Sequence, residues 1–245
     1  MTALPTRKLE AYRYADIDAL ASVWDALAQP ERIEIAAQQK LQQIWLPDGG
    51  PIAVKRVELI VRAGASVHIF ALNAADTYGR IELDVTLHEG AHFEFNAANI
   101  GGGTSTNEIV TTVRHVEPNA TSRQTVRSVL GDTAIGSYLG KVAVARGADG
   151  TDGEQSVKAM LLDRGATANC KPELEIYADD VKCAHGATVG ELDPDQLFYA
   201  MSRGLDPASA RAMLLEGFVE GLWDDLGPDS AIALAAREAL RRVAQ

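Results

Sequence analysis

A chain of 245 residues suffices for one or two domains with a sizeable core, and a net charge of −11 with Lys and Arg scattered along the sequence argues against nucleic-acid or anionic-lipid binding. No segment approaches the roughly 20 consecutive apolar residues of a membrane helix, and MTALPTRKLEAYRY lacks the apolar stretch of a secretion signal, so a soluble cytoplasmic protein is expected. Cys170 and Cys183 are too few for a disulfide framework or a four-cysteine cluster, so any metal would need ligands from other chains.

In chain order, residues 1–47 read as a short N-terminal helical segment: Leu20, Val23, Trp24 and Leu27 recur at helical spacing until Pro30 interrupts them. Over residues 48–192 the period becomes two. Val57, Leu59 and Val61 alternate with charged residues, and Ile81, Leu83, Val85 and Leu87 alternate with Glu82, Asp84 and Thr86, as half-buried strands require. Similar runs follow at 109–116, 126–130, 141–145 and 157–162 with no helical pattern between them.

A turn phrase returns among these runs: RAGASV, HEGAHF, EPNATS, ARGADG, DRGATA and AHGATV. Glycine or asparagine supplies a positive φ and the small alanine lets neighbouring backbones approach, which suits a repeated corner. The spacing, about 18 to about 29 residues, is that of solenoid coils with insertions. The fold is read as mainly β, a right-handed parallel β-helix whose coils cover one another's edges, with a short N-terminal helical segment and C-terminal helices. An antiparallel sandwich or barrel produces the same alternation and stays open on periodicity alone.

Residues 193–245 read as a C-terminal helical domain. Asp193 caps a first helix with Pro194 at its first position and Gln196 placed for a capping box, and Gly204 closes it. Asp206 and Pro207 begin a second, whose stripe of Ala210, Met213, Leu214, Gly217, Phe218, Gly221 and Leu222 would let another backbone come close. A third helix starts near Ser230 and ends beside Arg241 and Arg242.

The densest candidate for chemistry is YADDVKCAHGATVG. If this stretch is extended, Cys183 and His185 point to one side and could share a metal or a sulfur species; the alternative is a small core cysteine and a hydrogen-bonded corner histidine. Asp179 and Asp180 would suit a carbohydrate-active β-helix enzyme only if other coils added acids at the same phase, and none is evident. Gly101-Gly-Gly103 has no Lys-Ser/Thr at Walker spacing and reads as a flexible loop, and no serine is marked as activated. A non-catalytic protein is expected.

The stretch CKPELEIYADDVKCAHGATVGELDPDQLFYAMSRGLDPASARAMLLEGFVEGL resembles the C-terminal signature of the SufB/SufD family of iron–sulfur cluster assembly proteins, over about residues 166–222. Its ADDVKCAHGATVG is more similar to the SufD branch, and PTRKLEAYRYADIDAL resembles that branch's opening, with Tyr12 in a tryptophan position and Ala15 in a threonine position. The resemblance implies a scaffold working with a SufB subunit and the ATPase SufC. It implies a cluster held transiently at the SufB interface, none bound tightly to the isolated chain, and a homodimer possible when the chain is alone. It places Cys183 and His185 at the SufB contact, and the ATPase on the C-terminal helices, which here carry Gln196, Leu197, Phe198, Tyr199, Arg203, Met213, Leu214, Gly217 and Phe218.

Overall fold

A computed structural model describes residues 3–47 and 50–244. Twelve strands follow one another: β1 (Glu31–Ile35), β2 (Lys40–Trp45), β3 (Ile52–Val61), β4 (Ser66–Asn73), β5 (Tyr78–Leu87), β6 (His92–Gly101), β7 (Thr106–His115), β8 (Thr121–Leu130), β9 (Ile135–Val144), β10 (Asp152–Leu161), β11 (Thr167–Ile176) and β12 (Lys182–Glu191). Odd strands form one six-stranded sheet, in the order β1-β3-β5-β7-β9-β11, and even strands the other, β12-β10-β8-β6-β4-β2. Every ladder is parallel, which makes a two-sheeted β-solenoid and rules out the antiparallel alternative.

The alternation seen in the sequence is the alternation between interior and surface. Val57, Leu59 and Val61 of β3 face Val67 and Ile69 of β4 in one continuous core that runs on through Leu83, Val85, Phe93, Phe95, Val113, Val126, Val142 and Val157. Fully burying such a side chain stabilises by about 1.5–3 kcal/mol, so the stacked interior supplies most of the driving force.

The corners follow the turn phrase in part. Gln38, Gly64, Gly90, Asn119 and Gly150 have φ of 64°, 64°, 61°, 61° and 73°, and form one column. Each N–H in it donates to a carbonyl of the next coil, on Ala63, Glu89, Pro118, Asp149 and Asp180 in turn. Ala65, Ala91 and Ala120, just after the left-handed residue, are fully buried, as a close backbone approach requires. DRGATA lies at the opposite corner, between β10 and β11, and AHGATV is no corner at all but part of β12, where Gly186 lacks a positive φ. The true coil lengthens from 26 residues, between Asn73 and Asn99, to 32, between Ser137 and Asn169.

The solenoid starts earlier than the sequence pattern indicates. β1 and β2 lie within residues 1–47, because Ile33 pairs with Leu59, Ile35 with Val61, and Gln42 with His68. The boundary placed at residue 48 itself lies outside the described residues. Ahead of β1, α1 (Ile17–Ala21) and α2 (Trp24–Leu27) lie on the outside of the odd-stranded sheet, packing Tyr12, Leu20 and Trp24 on Tyr78. Two arginines pin this segment. Arg56 donates to the carbonyls of Leu27 and Ala28 at 2.7 and 3.3 Å. Fully buried Arg80 donates to Ala11 O at 2.8 Å while paired with Glu82 and Glu108 at 2.9 and 3.1 Å.

The C-terminal helices are α3 (Pro194–Ser202), α4 (Pro207–Glu220) and α5 (Ala231–Val243), with Asp193, Asp206 and Ser230 accepting first-turn N–H groups. Leu215, Val219, Leu222, Ile232, Ala236 and Leu240 of α4, α5 and the turn between them pack on Phe70, Leu72, Ala98, Ile100 and Val129 outside the even-stranded sheet. Among the described residues no helix is long and apolar enough to cross a membrane.

Candidate functional site

The final strand, β12, pairs with β10 on one side and, among the described residues, has no strand on the other, so its residues stand at an open end of the solenoid. Cys183 pairs with Gly153, and His185 with Gln155. The two-residue period therefore does send Cys183 and His185 to one side, the interior side. Their surroundings differ. Cys183 is half-buried against the core, and its sulfur lies 3.6 Å from where a side-chain carbon on Gly153 would stand; Ser122 Oγ lies 3.7 Å from that same point. Burial pushes the Cys183 thiol up, partly countered by the Gly153 N–H. His185 is exposed and its ring has no hydrogen bond or ion pair with any described residue, so it is not the hydrogen-bonded corner of the alternative reading.

Among the described residues no three His, Cys, Asp or Glu side chains are grouped to hold a metal ion. A thiol and an imidazole fill at most two positions of a four-coordinate ion, so a cation or cluster edge held here would need donors from outside the chain. Cys170, on β11, is half-buried in the core, and burial pushes its thiol up, in keeping with a structural role.

Asp179 and Asp180 are exposed at the last corner, where the Asp180 carbonyl accepts from Gly150 N–H at 2.7 Å. Asp149 does repeat this position one coil back, so an acid occurs at matching phase after all, but its carbonyl likewise serves the corner, accepting from Asn119 N–H. These acids mark a turn column rather than a groove. Gly101-Gly-Gly103 forms an ordered corner, not a flexible loop: the Gly103 N–H donates to the Asp132 carboxylate at 2.8 Å, so its free donor already faces an anion.

The helical surface divides. Leu215, Val219 and Leu222 of the second helix and its exit face the sheet, and Ala210 is also buried, whereas Met213 and Gly217 face outward. Among the described residues nothing beyond their own helix turn comes within 4 Å of a would-be side-chain carbon on Gly217 or Gly221. Phe198, Tyr199 and Met213 are 72%, 60% and 48% exposed. Between α3 and α4 runs an apolar groove of about 570 Å³, lined by Gln196, Tyr199, Arg203, Met213 and Leu214 among others. Leu197 and Phe218 are half-buried, and Phe218 lies under the Arg127 guanidinium. Gln196, Tyr199, Arg203, Met213 and Leu214 thus line one connected surface. The capping box does not form; the Asp193 carboxylate accepts only from Asp195 N–H.

Sequence reading missed the polar groups inside the last coils. Gln124 and Gln155 are buried without a partner for either amide atom, and His115 lies 2.9 Å from Ser122 Oγ. The signal was available for Gln155, a polar residue at an inward phase between Gly153 and Val157.

Comparison with known proteins adds an independent line. A family model described as SUF system FeS cluster assembly, SufBD core domain, matches residues 33–218. The iron–sulfur cluster assembly protein SufD of Escherichia coli is 32% identical over 79% of this chain and 47% of its own length. A SufBD family protein of Synechocystis is 33% identical over 63% and 34%, and SufD of Bacillus subtilis 28% identical over 56% and 32%. The matched region therefore spans less than half of each relative.

Proposed function

Because this chain belongs to the SufBD family of iron–sulfur cluster assembly proteins, we propose that it serves as a SufD-like scaffold subunit, acting with a SufB-like subunit and a SufC-like ATPase to assemble clusters. The observation that carries this reading is His185, an unpartnered imidazole beside Cys183 on the edge strand β12. Two donors on an open edge leave a site half-built, and a subunit abutting that edge would supply the thiolates that complete it. The cluster is cargo here, assembled and passed on. Protons compete with iron for the imidazole nitrogen and the thiolate, so retention should weaken as pH falls.

The exposed surface of α3 and α4 suits the ATPase subunit, whose hydrolysis would pull the helices and shift the solenoid interface. Catalysis of ATP turnover belongs to that partner in this reading, and the complex is cytoplasmic. The test is reconstitution with SufB-like and SufC-like partners. His185→Ala should assemble the complex yet load less iron and sulfide, with Cys183→Ala smaller in effect if sulfur comes mainly from the partner. Intact loading by His185→Ala would remove the ligand role.

A further inference from the structure

Along the even-stranded sheet one inward column can be followed strand by strand. Ile69 pairs with Phe95, Phe95 with Gln124, Gln124 with Gln155, and Gln155 with His185. Parallel strands in register keep one face at every step, with neighbours about 4.8 Å apart. The column is apolar at Ile69 and Phe95, after the polar Gln43 that pairs with Ile69 on β2, and polar again from Gln124 onward. Gln124 is fully buried and Gln155 is 1% exposed, yet no amide nitrogen or oxygen of either has a hydrogen-bond partner. Gln155 and His185 are direct partners across the last ladder of the sheet, between β10 and β12. The His185 ring is exposed and unpartnered, so it is free to turn, and a glutamine side chain is long enough to cross the gap between neighbouring strands.

We propose that Gln155 is a positioning residue for His185: its side-chain oxygen accepts one ring N–H, its nitrogen donates to the Gln124 oxygen, and the other ring nitrogen is left bare toward the cluster site. The proposal rests on the reading of His185 as a cluster donor. An imidazole can ligate only through an unprotonated nitrogen, and the acceptor on its far side decides which nitrogen that is. The Gln124–Gln155–His185 polarity matters because the reverse direction, with the Gln155 nitrogen donating to the ring, would put the proton on the outward nitrogen and block it. The same bonds would satisfy polar atoms that the interior otherwise leaves unpaired.

The test reads the tautomer, not the loaded complex. The full chain, labelled with nitrogen-15 in its imidazoles, is examined by NMR at about pH 8.5, where neutral rings dominate, with His185 assigned by loss of its signal in His185→Asn. The wild type should show one dominant His185 tautomer. Gln155→Glu, whose carboxylate can only accept, should keep it. Gln155→Met, similar in length and without polar atoms, should relax it toward the mixture of a free imidazole, and Gln155→Asn, too short to reach, should do the same should the Glu variant not fold. Unchanged nitrogen shifts in the Met variant, or a proton moved to the other nitrogen in the Glu variant, would overturn the proposal. In the reconstituted complex Gln155→Met should lower cluster loading by about tenfold. If His185→Ala loads normally, the donor reading fails and the proposal with it; if His185→Ala loses the cluster while Gln155→Met leaves the ring spectrum unchanged, only the proposal fails.

Discussion

His115 ends β7 with its side chain wholly inside the solenoid, 2.9 Å from Ser122 Oγ. Burial pushes its pKa down from 6.5 to about 4, because the charged ring would lose its hydration. The folded state therefore binds fewer protons than the unfolded chain between these two values. Its contribution is complete above about pH 6.5, declines as pH falls, and levels off below about pH 4, a loss of roughly 3 kcal/mol. Urea midpoints at pH 7 and 4.5 should show this slope in the wild type and a shallower one in His115→Leu; equal slopes would mean that the carboxylates alone carry the acid sensitivity.

At the scale of elements, α4 shows two faces with different duties. Its buried Leu215 and Val219 hold it on the even-stranded sheet, and a large-to-small change there would cost about 2–5 kcal/mol through the cavity left behind. Gly217, on the other side, has open space around it. Glycine in a helix interior is about 1 kcal/mol less favourable than alanine, so Gly217→Leu should leave the chain as stable or raise its melting temperature. If the bare face is where the ATPase subunit docks, the same change should abolish its capture in a pull-down. Unimpaired capture would return that face to plain solvent exposure.

For the molecule as a whole, the ends of the solenoid matter most. Among the described residues β11 and β12 have no strand beyond them, and Ile176 and Val189 near that end are 40% and 49% exposed. Unpaired strand edges invite another chain, either a partner subunit or a second copy. Val189→Lys adds a charge at a half-exposed site and should change stability by no more than about 0.5 kcal/mol. It should shift sedimentation of the purified chain toward the monomer at rising concentration and weaken capture of the SufB-like subunit. A wild type that stays monomeric throughout, and a variant that captures the subunit equally well, would move the interface elsewhere.

What the sequence by itself determined was local. Alternation named β3, β5, β7, β8, β9 and β10 but not β4, β6 or β11, the Asp-Pro pairs located α3 and α4, the left-handed corner residues were visible at Gly64, Gly90 and Asn119, and the two-residue spacing of Cys183 and His185 put them on one side. Tertiary structure decided which repeats of the turn phrase are corners, since AHGATV pairs in mid-strand with residues 154–159 of β10 and so continues as a strand. It decided that ERIEI and KLQQIW begin the solenoid, because such short runs become strands only through pairing with β3 and β4. It decided too that Gln155 stands beside His185. Those relations join residues 26 to 32 positions apart, with coil lengths that vary, and no local pattern records which distant residue will lie 4.8 Å away.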